Sequence, residues 1–352
     1  MTSSRLPAAV LGATGPVGQK LVALLRDHPW FELASVHASG RSAGMKYGDA
    51  IEGRRLGPDS DTEYASDLHV RPANEVSPVA VAFSGLAADA AKEIEPLWLL
   101  QGVSVCSNAS AWRMDDSVPI VLAGTNSGHV HLVQRQKSAH GWNGFLVTNS
   151  NCSVSGLVTV LAPLREFGVL GICCSTYQSL SGAGWPGPPA ISALGNVIPF
   201  IPGEEEKMAR EARKILGSFD GASLVHAQFA LDAFCVRVPV AVGHLVGATV
   251  WFEREPAVEE VIEILANTPS PLLPSAPERP IVIRHEPDRP QPALDLATGH
   301  GMSAVVGRMR KTASGALAFA VLVDNLMLGA AGAAVMNGEL LATNGYLERS
   351  RA

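Results

Sequence analysis

Short apolar runs alternate with amphipathic stretches through the first 150 residues. Residues 7–11 are apolar and stop at Gly12-Ala-Thr-Gly-Pro-Val-Gly18. The next stretch puts Val17, Leu21, Leu24 and Leu25 on one helical face and Gln19, Lys20 and Arg26 on the other. Phe31–Ala38 is a second strand candidate. Strand, glycine turn, helix and strand within about 30 residues is the βαβ unit of a dinucleotide fold. Strands at 79–83, 103–106 and 120–122, with a helix at 87–100, continue the alternation and predict a parallel sheet wrapped by helices.

After Asn149-Ser-Asn-Cys152 the texture changes. Residues 153–167 have a helical period, and longer β-branched runs follow at 171–180, 224–240 and 245–253. These predict a mixed or antiparallel sheet with helices at 204–216 and 257–267 on one face. Proline-rich 269–292 reads as an extended loop, and 316–341 as a long apolar helix whose second half returns to the first domain. The expected fold is α/β: a Rossmann-like dinucleotide-binding domain over 1–150 plus 326–352, and an α+β catalytic and dimerisation domain over 151–325.

Composition narrows the function. Of 352 residues, 47% are hydrophobic and 17% charged, enough apolar material for two cores. A net charge of −6 without a basic stripe argues against nucleic acid or an anionic membrane. Asp324, Asn325, Asn337 and Glu339 interrupt the apolar run at 316–341, so a buried helix is expected there and not a bilayer span. The opening MTSSRLPAAV lacks a basic region followed by an apolar stretch, and five cysteines form no CxxC pair. Both point to a cytoplasmic protein in a reducing compartment. His129 and His131 would share a strand face, but with no third ligand at helpful spacing no metal is expected.

Gly12, Gly15 and Gly18 follow a strand and open a helix, which lets the backbone approach a pyrophosphate at the helix N-terminus. At the end of the second strand, where an acidic residue would bond the ribose hydroxyls of NAD, the chain has Ser39, Arg41 and Ser42. An arginine and two hydroxyls suit a 2′-phosphate, so NADP is the expected cofactor. Cys152 stands at a loop-to-helix junction, where first-turn N–H groups and the helix dipole favour a thiolate. Cys106, Cys173, Cys174 and Cys235 read as inert small hydrophobes.

Asn151-Cys-Ser153, Gln178-Ser-Leu-Ser-Gly-Ala-Gly184, Asn196-Val-Ile-Pro-Phe200, Gly203-Glu-Glu-Glu-Lys207, Arg237-Val-Pro-Val-Ala-Val-Gly-His244, Arg289-Pro-Gln-Pro292 and Val306-Gly-Arg308 occur in that order. Together with Ala38-Ser-Gly-Arg-Ser-Ala-Gly44 the set resembles the aspartate-semialdehyde dehydrogenase family, in the branch found in archaea and fungi, from Gly12 to about Leu341. The resemblance implies a glyceraldehyde-3-phosphate-dehydrogenase-like fold, a homodimer or homotetramer, and reductive dephosphorylation of aspartyl 4-phosphate with NADPH. The small-molecule partners would be an acyl phosphate and inorganic phosphate.

The resemblance also implies roles. Cys152 would be the nucleophile, His244 the acid/base and Gln178 the residue orienting the intermediate. Arg237 would grip the substrate carboxylate; Arg113, Lys207 and Glu204 would form the phosphate side, with Asn151 beside them. Cofactor contacts would come from Gly12, Thr14, Gly15, Pro16, Val17, Gly18, Ser39, Arg41, Ser42, Ser84, Ser181, Gly182 and Asn325. Val242, Ala293 and Asp324 stand where the family usually has Asp, Arg and His. Two other readings stay open: an acyl-CoA reductase of malonyl-CoA type on the same scaffold, and a non-catalytic NADP-binding relative.

Overall fold

The computed structural model describes residues 5–55, 62–221 and 223–347. The chain divides into two compact units, Met1–Val121 with Gly128–Asn149 and Ala331–Ala352, and Leu122–Ser127 with Ser150–Ala330. The return to the first unit therefore comes at Ala331 and not at 326, and the short stretch Leu122–Ser127 goes with the second.

In the first unit, six parallel strands are β1 (Leu6–Leu11), β2 (Phe31–Ala38), β3 (Val70–Pro72), β4 (Val81–Ser84), β5 (Ser104–Ser107) and β6 (Leu146–Thr148). Their order is β3-β2-β1-β4-β5-β6. That is the doubly wound order, in which the chain reverses direction beside β1 and leaves a crevice at the strand ends. Strands β1, β4 and β6 are buried on both faces along most of their length, so they read as short, largely apolar runs, while β2 and the edge strand β3 carry exposed residues. Ala9, Leu11, Ala82, Val105 and Leu146 pack with Trp98 and Leu99 in one core. The helix Gly332–Thr343 packs on β4, β5 and the helix Pro16–Leu25. Its polar residues bond within this unit: Asn337 Nδ2 donates to Val121 O and Asn149 Oδ1, and Glu339 meets His28 at 2.8 Å, while Asn337 Oδ1 has no partner among the described residues.

The second unit holds β7 (Val169–Gln178), a two-residue pair β8 (Ser218–Phe219) and β9 (Leu224–Val225), then β10 (Ala230–Arg237), β11 (His244–Phe252), β12 (Ile281–Ile283), β13 (Ala304–Lys311) and β14 (Leu317–Val323). Apart from the pair, the order is β10-β7-β11-β14-β13-β12 with mixed parallel and antiparallel pairing. The helix Cys152–Leu161 lies on β11 and β14, so close that a Cβ on Gly156 would come 2.7 Å from Val323. β7 alternates: Ile172, Cys174, Thr176 and Gln178 face the core, while Cys173 and Tyr177 face out.

Several elements differ from the sequence reading. Residues 316–341 are not one helix but β14, a π turn at Met327–Ala331 and then the helix Gly332–Thr343. β14 pairs on both edges and is buried on both faces, and such a strand has no period to separate it from a buried helix. The helix expected at 153–167 is α-helical only to Leu161 and continues as a 3-10 turn through Pro163, which cannot donate to the ladder. The loop at 269–292 contains β12, and 224–240 breaks into β9 and β10. Ile120 makes one isolated bridge to Thr148 in place of a strand. His129 and His131 lie in a 3-10 helix, where His131 Nδ1 meets the Tyr346 hydroxyl at 2.8 Å.

Candidate active site

Cys152 is the first residue of its helix, and Asn151 caps that helix by accepting from Ser153 N–H at 2.7 Å. Cys152 Sγ lies 3.2 Å from His244 Nε2. His244 opens β11 and is wholly buried; burial first, and then the Arg237 charge, push its pKa down to about 3. Gln178 and Arg237, the last residues of β7 and β10, are register partners and both buried. Parallel pairing thus delivers two buried side chains at one end of the sheet.

The helix Glu204–Ile215, acidic in its first turn, organises this end. Glu204 Oε1 accepts from Gln178 Nε2 at 3.0 Å, Asn151 Nδ2 at 2.9 Å and Ser153 Oγ at 3.1 Å. Glu211 Oε2 accepts from Asn151 N–H at 2.6 Å. Buried carboxylates saturated in this way hold neighbours rigidly. Lys207 is half-buried one turn along, and among the described residues its ammonium has no partner. Burial holds the Arg237 guanidinium below its ordinary range; its Nη1 donates to Ser179 O at 2.8 Å.

Three residues that the sequence reading passed over shape the site. Ser179 donates its N–H to His244 Nδ1 at 3.1 Å and its hydroxyl to Asn325 Oδ1 at 3.0 Å. Asn325 Oδ1 also accepts from Gly243 N–H at 2.8 Å, and Nδ2 donates to Ser181 at 2.9 Å. Gly329 backs Cys152, since a Cβ there would stand 2.8 Å from Cys152 Cβ. Ser179 and Gly243 lie within the motifs named above, but Gly329 acts through a contact remote in sequence. Gly182 covers the other side, where a Cβ would come 2.9 Å from both His244 Nε2 and Arg237 Nη1. Asp324 Oδ1 accepts from Leu326 and Met327 N–H, opening the π turn that carries Gly329. Elsewhere, burial pushes the thiols of Cys174 and Cys235 up to about 12 and about 11, and that of Cys106 further still.

In the first unit the glycine loop fits a dinucleotide pyrophosphate. Gly12 has φ +70°, a Cβ there would meet Gly85 O at 2.8 Å, and one on Gly18 would meet Gly12 O at 2.1 Å. The helix Pro16–Leu25 starts at Gly15 with no side-chain cap and no acid in its first turn, so its leading N–H groups can face an anion. Thr14, Pro16 and Val17 are half-buried in this turn, and Ser84 ends β4 beside it, buried. Ser39 and Arg41 are exposed after β2; Ser42 is buried and donates its N–H to Ser39 O. Arg113 belongs to this unit, with Nη2 donating to Asn108 O at 2.8 Å. Among the described residues no three His, Cys, Asp or Glu side chains group as a metal site, and no helix is long and apolar enough to cross a membrane.

Residues 7–133 match the family model for the semialdehyde dehydrogenase NAD binding domain, and 161–328 that for the semialdehyde dehydrogenase dimerisation domain. An aspartate-semialdehyde dehydrogenase from Archaeoglobus fulgidus is 44% identical over 96% of this chain and 98% of its own. The chain belongs to the aspartate-semialdehyde dehydrogenase family. A second member, from Aspergillus fumigatus, is 40% identical over 96% of this chain and 97% of its own. Among solved structures, the aspartate semialdehyde dehydrogenase with NADP from Candida albicans superposes with a TM-score of 0.85 at 35% identity, covering 97% of this chain and all of that one. Archaeal and fungal relatives at this identity agree with the branch that the motifs suggested.

Proposed function

We propose that the protein reduces aspartyl 4-phosphate to aspartate 4-semialdehyde with NADPH, through a thioester on Cys152. The observation that carries the reading is Cys152 Sγ 3.2 Å from His244 Nε2, with Gln178 and Arg237 at the same end of one sheet, in a chain so similar to enzymes of that name. The loop around Gly12, Gly15 and Gly18 would hold the pyrophosphate, and Ser39, Arg41 and Ser42 the 2′-phosphate. When bound, NADPH supplies the hydride.

The sulfur forms a bond to the acyl carbon as the carbon–oxygen bond to phosphate breaks, and a thiolate is a good nucleophile for that exchange. Gln178 is held by Glu204 with its amide beside the sulfur's helix, which suits an orienting role toward the bound acyl group. Arg237 suits a bidentate grip on the substrate carboxylate, and Lys207 a contact to the leaving phosphate. Glu204 and Asn151 support the site by bonding one another and the Cys152 helix start. Asn325 retains one Nδ2 hydrogen for the nicotinamide side, with Ser181 and Gly182 next to it.

The outward face of β7, β10 and β11 exposes Tyr177, Phe234 and Trp251, and the match to a dimerisation domain covers these strands. We read that face as the seat of a second copy, in a homodimer or homotetramer. A cytoplasmic location suits five cysteines of which none is in a disulfide.

Oxidation of aspartate semialdehyde with NADP should require phosphate or arsenate, and Cys152→Ser should keep NADP binding but lose all but about a hundredth of turnover. Oxidation of a semialdehyde with CoA and none with phosphate would replace the aspartyl-phosphate reading by the acyl-CoA one. Substantial activity in the serine variant would end the covalent route.

A further inference from the structure

Three side-chain amides join the last helix of the first unit to the end of β4. Asn337, on the helix Gly332–Thr343, donates from Nδ2 to Val121 O at 2.9 Å and to Asn149 Oδ1 at 2.8 Å. Asn149 Nδ2 donates to Asn108 Oδ1 at 2.7 Å, and Asn108 Nδ2 donates to Ser84 O at 2.9 Å. We propose that Asn337 is a positioning residue for the cofactor: through Asn149 and Asn108 it fixes the turn after β4 that walls the glycine loop, and so sets NADPH affinity from the far end of the relay. The inference rests on the reading of that loop as the pyrophosphate site.

The direction of the relay is forced. A backbone carbonyl can only accept, and one closes the relay at each end, Val121 O and Ser84 O. Turning over any one of the three amides would set oxygen against oxygen or NH2 against NH2. Asn337 and Asn149 are buried and Asn108 is half-buried, so water cannot make good such a mismatch. Asn337 keeps its orientation although Oδ1 then has no partner among the described residues, and an unsatisfied buried acceptor is costly. Its two donated bonds outweigh that cost, which is how a relay dictates one end from the other.

The other end lies in the cofactor crevice. Ser84 O accepts twice from Asn108, from Nδ2 and from the backbone N–H, both at 2.9 Å. The next residue is against the glycine loop: Gly85 N–H donates to Leu11 O at 2.8 Å, and a Cβ on Gly12 would stand 2.8 Å from Gly85 O. A Cβ on Gly85 would in turn stand 3.1 Å from Gly18 N. Backbone meets backbone here, with no side chain to cushion the contact. A shift of Ser84 O therefore passes directly to the N–H groups that face the pyrophosphate.

Fluorescence titration of the whole protein with NADPH tests this, using Asn337→Ala, Asn108→Ala and the two combined. Either single change should raise the dissociation constant about two- to thirtyfold. The double variant should bind no more weakly than the weaker single one, because both changes cut the same relay. A merely structural Asn337, separated from Asn108 by the Asn149 amide, would give effects that multiply. Multiplying effects, or unchanged NADPH affinity in Asn337→Ala, would overturn the proposal. If the alanine variant does not fold, Asn337→Ser keeps one donor hydrogen and should show the same non-additive pattern with Asn108→Ala. A wild type that does not bind NADPH would end the cofactor reading and this inference together, whereas unchanged affinity in the variant ends the inference alone. No substrate is present in the titration, so an error in the acyl-phosphate reading would show separately, in the turnover assay.

Discussion

Glu95 lies on the helix Ala88–Leu100, wholly buried, with the Ser107 hydroxyl donating to Oε1 at 2.6 Å. Burial pushes its carboxyl up to about 7 from an ordinary 4.5, against the opposing pull of the Ser107 and Ser84 hydroxyls. Folded protein therefore holds this proton more tightly than the unfolded chain does. The stabilisation is complete below pH 4.5 and fades as pH rises to about 7. Measured against Glu95→Gln, which cannot titrate, the wild type should lose on the order of 3 kcal/mol of unfolding free energy across that window and nothing further above it. Urea unfolding at a series of pH values reads this directly, and a constant difference between the two proteins would contradict it. Because Ser84 ends β4 in the proposed cofactor crevice, ionising Glu95 would be felt there as well as in stability.

At the scale of elements, the site depends on how segments end. β7 and β10 end at Gln178 and Arg237, β11 begins at His244, and the Cys152 helix begins where its cap begins. Behind them, Asp295 is buried between Arg284 and Arg289 and accepts from Gln291 N–H, which shapes the Arg289-Pro-Gln-Pro292 turn. That turn packs against Gly243, where a Cβ would come 2.8 Å from Leu296 and 3.4 Å from Pro292. Ala293 is exposed on the same turn and touches none of these bonds. The π turn Met327–Ala331 brings Gly329 against Cys152. Gly329→Ala should push the sulfur from its place: overpacking costs about 1–3 kcal/mol, and a displacement of about 1 Å costs up to about a hundredfold in turnover. The expected outcome is a large fall in kcat with the NADPH affinity unchanged, compared by steady-state kinetics and cofactor titration. Wild-type kcat in this variant would show that the turn does not brace the nucleophile.

For the whole molecule, the sheet of the second unit has one face under helices and one that exposes Tyr177, Phe234 and Trp251. The segment from Trp185 to Phe200 adds Ile191 at 91% and Leu194 at 71% exposure, far more than packed side chains keep. Patches of this kind mark association surfaces. The pair Tyr177→Glu and Phe234→Glu should convert an assembly into monomers, as followed by sedimentation velocity, because two charges on each copy would be buried across an isologous contact. A wild type that sediments as a monomer would rule out this use of the face.

The chain alone determined what depends on neighbours along it. Glycine at 12, 15 and 18 between a strand and a helix, Arg41 in place of an acid, and a cysteine after a capping asparagine are local patterns with local physical causes. The alternation in the first 150 residues likewise follows from period, and most of its strands and helices stand where it places them. Tertiary structure decided whatever depends on remote partners. Residues 317–323 became a strand because β11 and β13 flank them, which no apolar count reveals. Glu204 became a hub and not a surface acid because Asn151, Ser153 and Gln178 all aim donors at it. The ring of His244 is held from 65 residues away by the N–H of Ser179, and the room for Cys152 is left by the missing side chain of Gly329. Direction and distance of a hydrogen bond, and the space left by an absent methyl, exist only once the chain has packed.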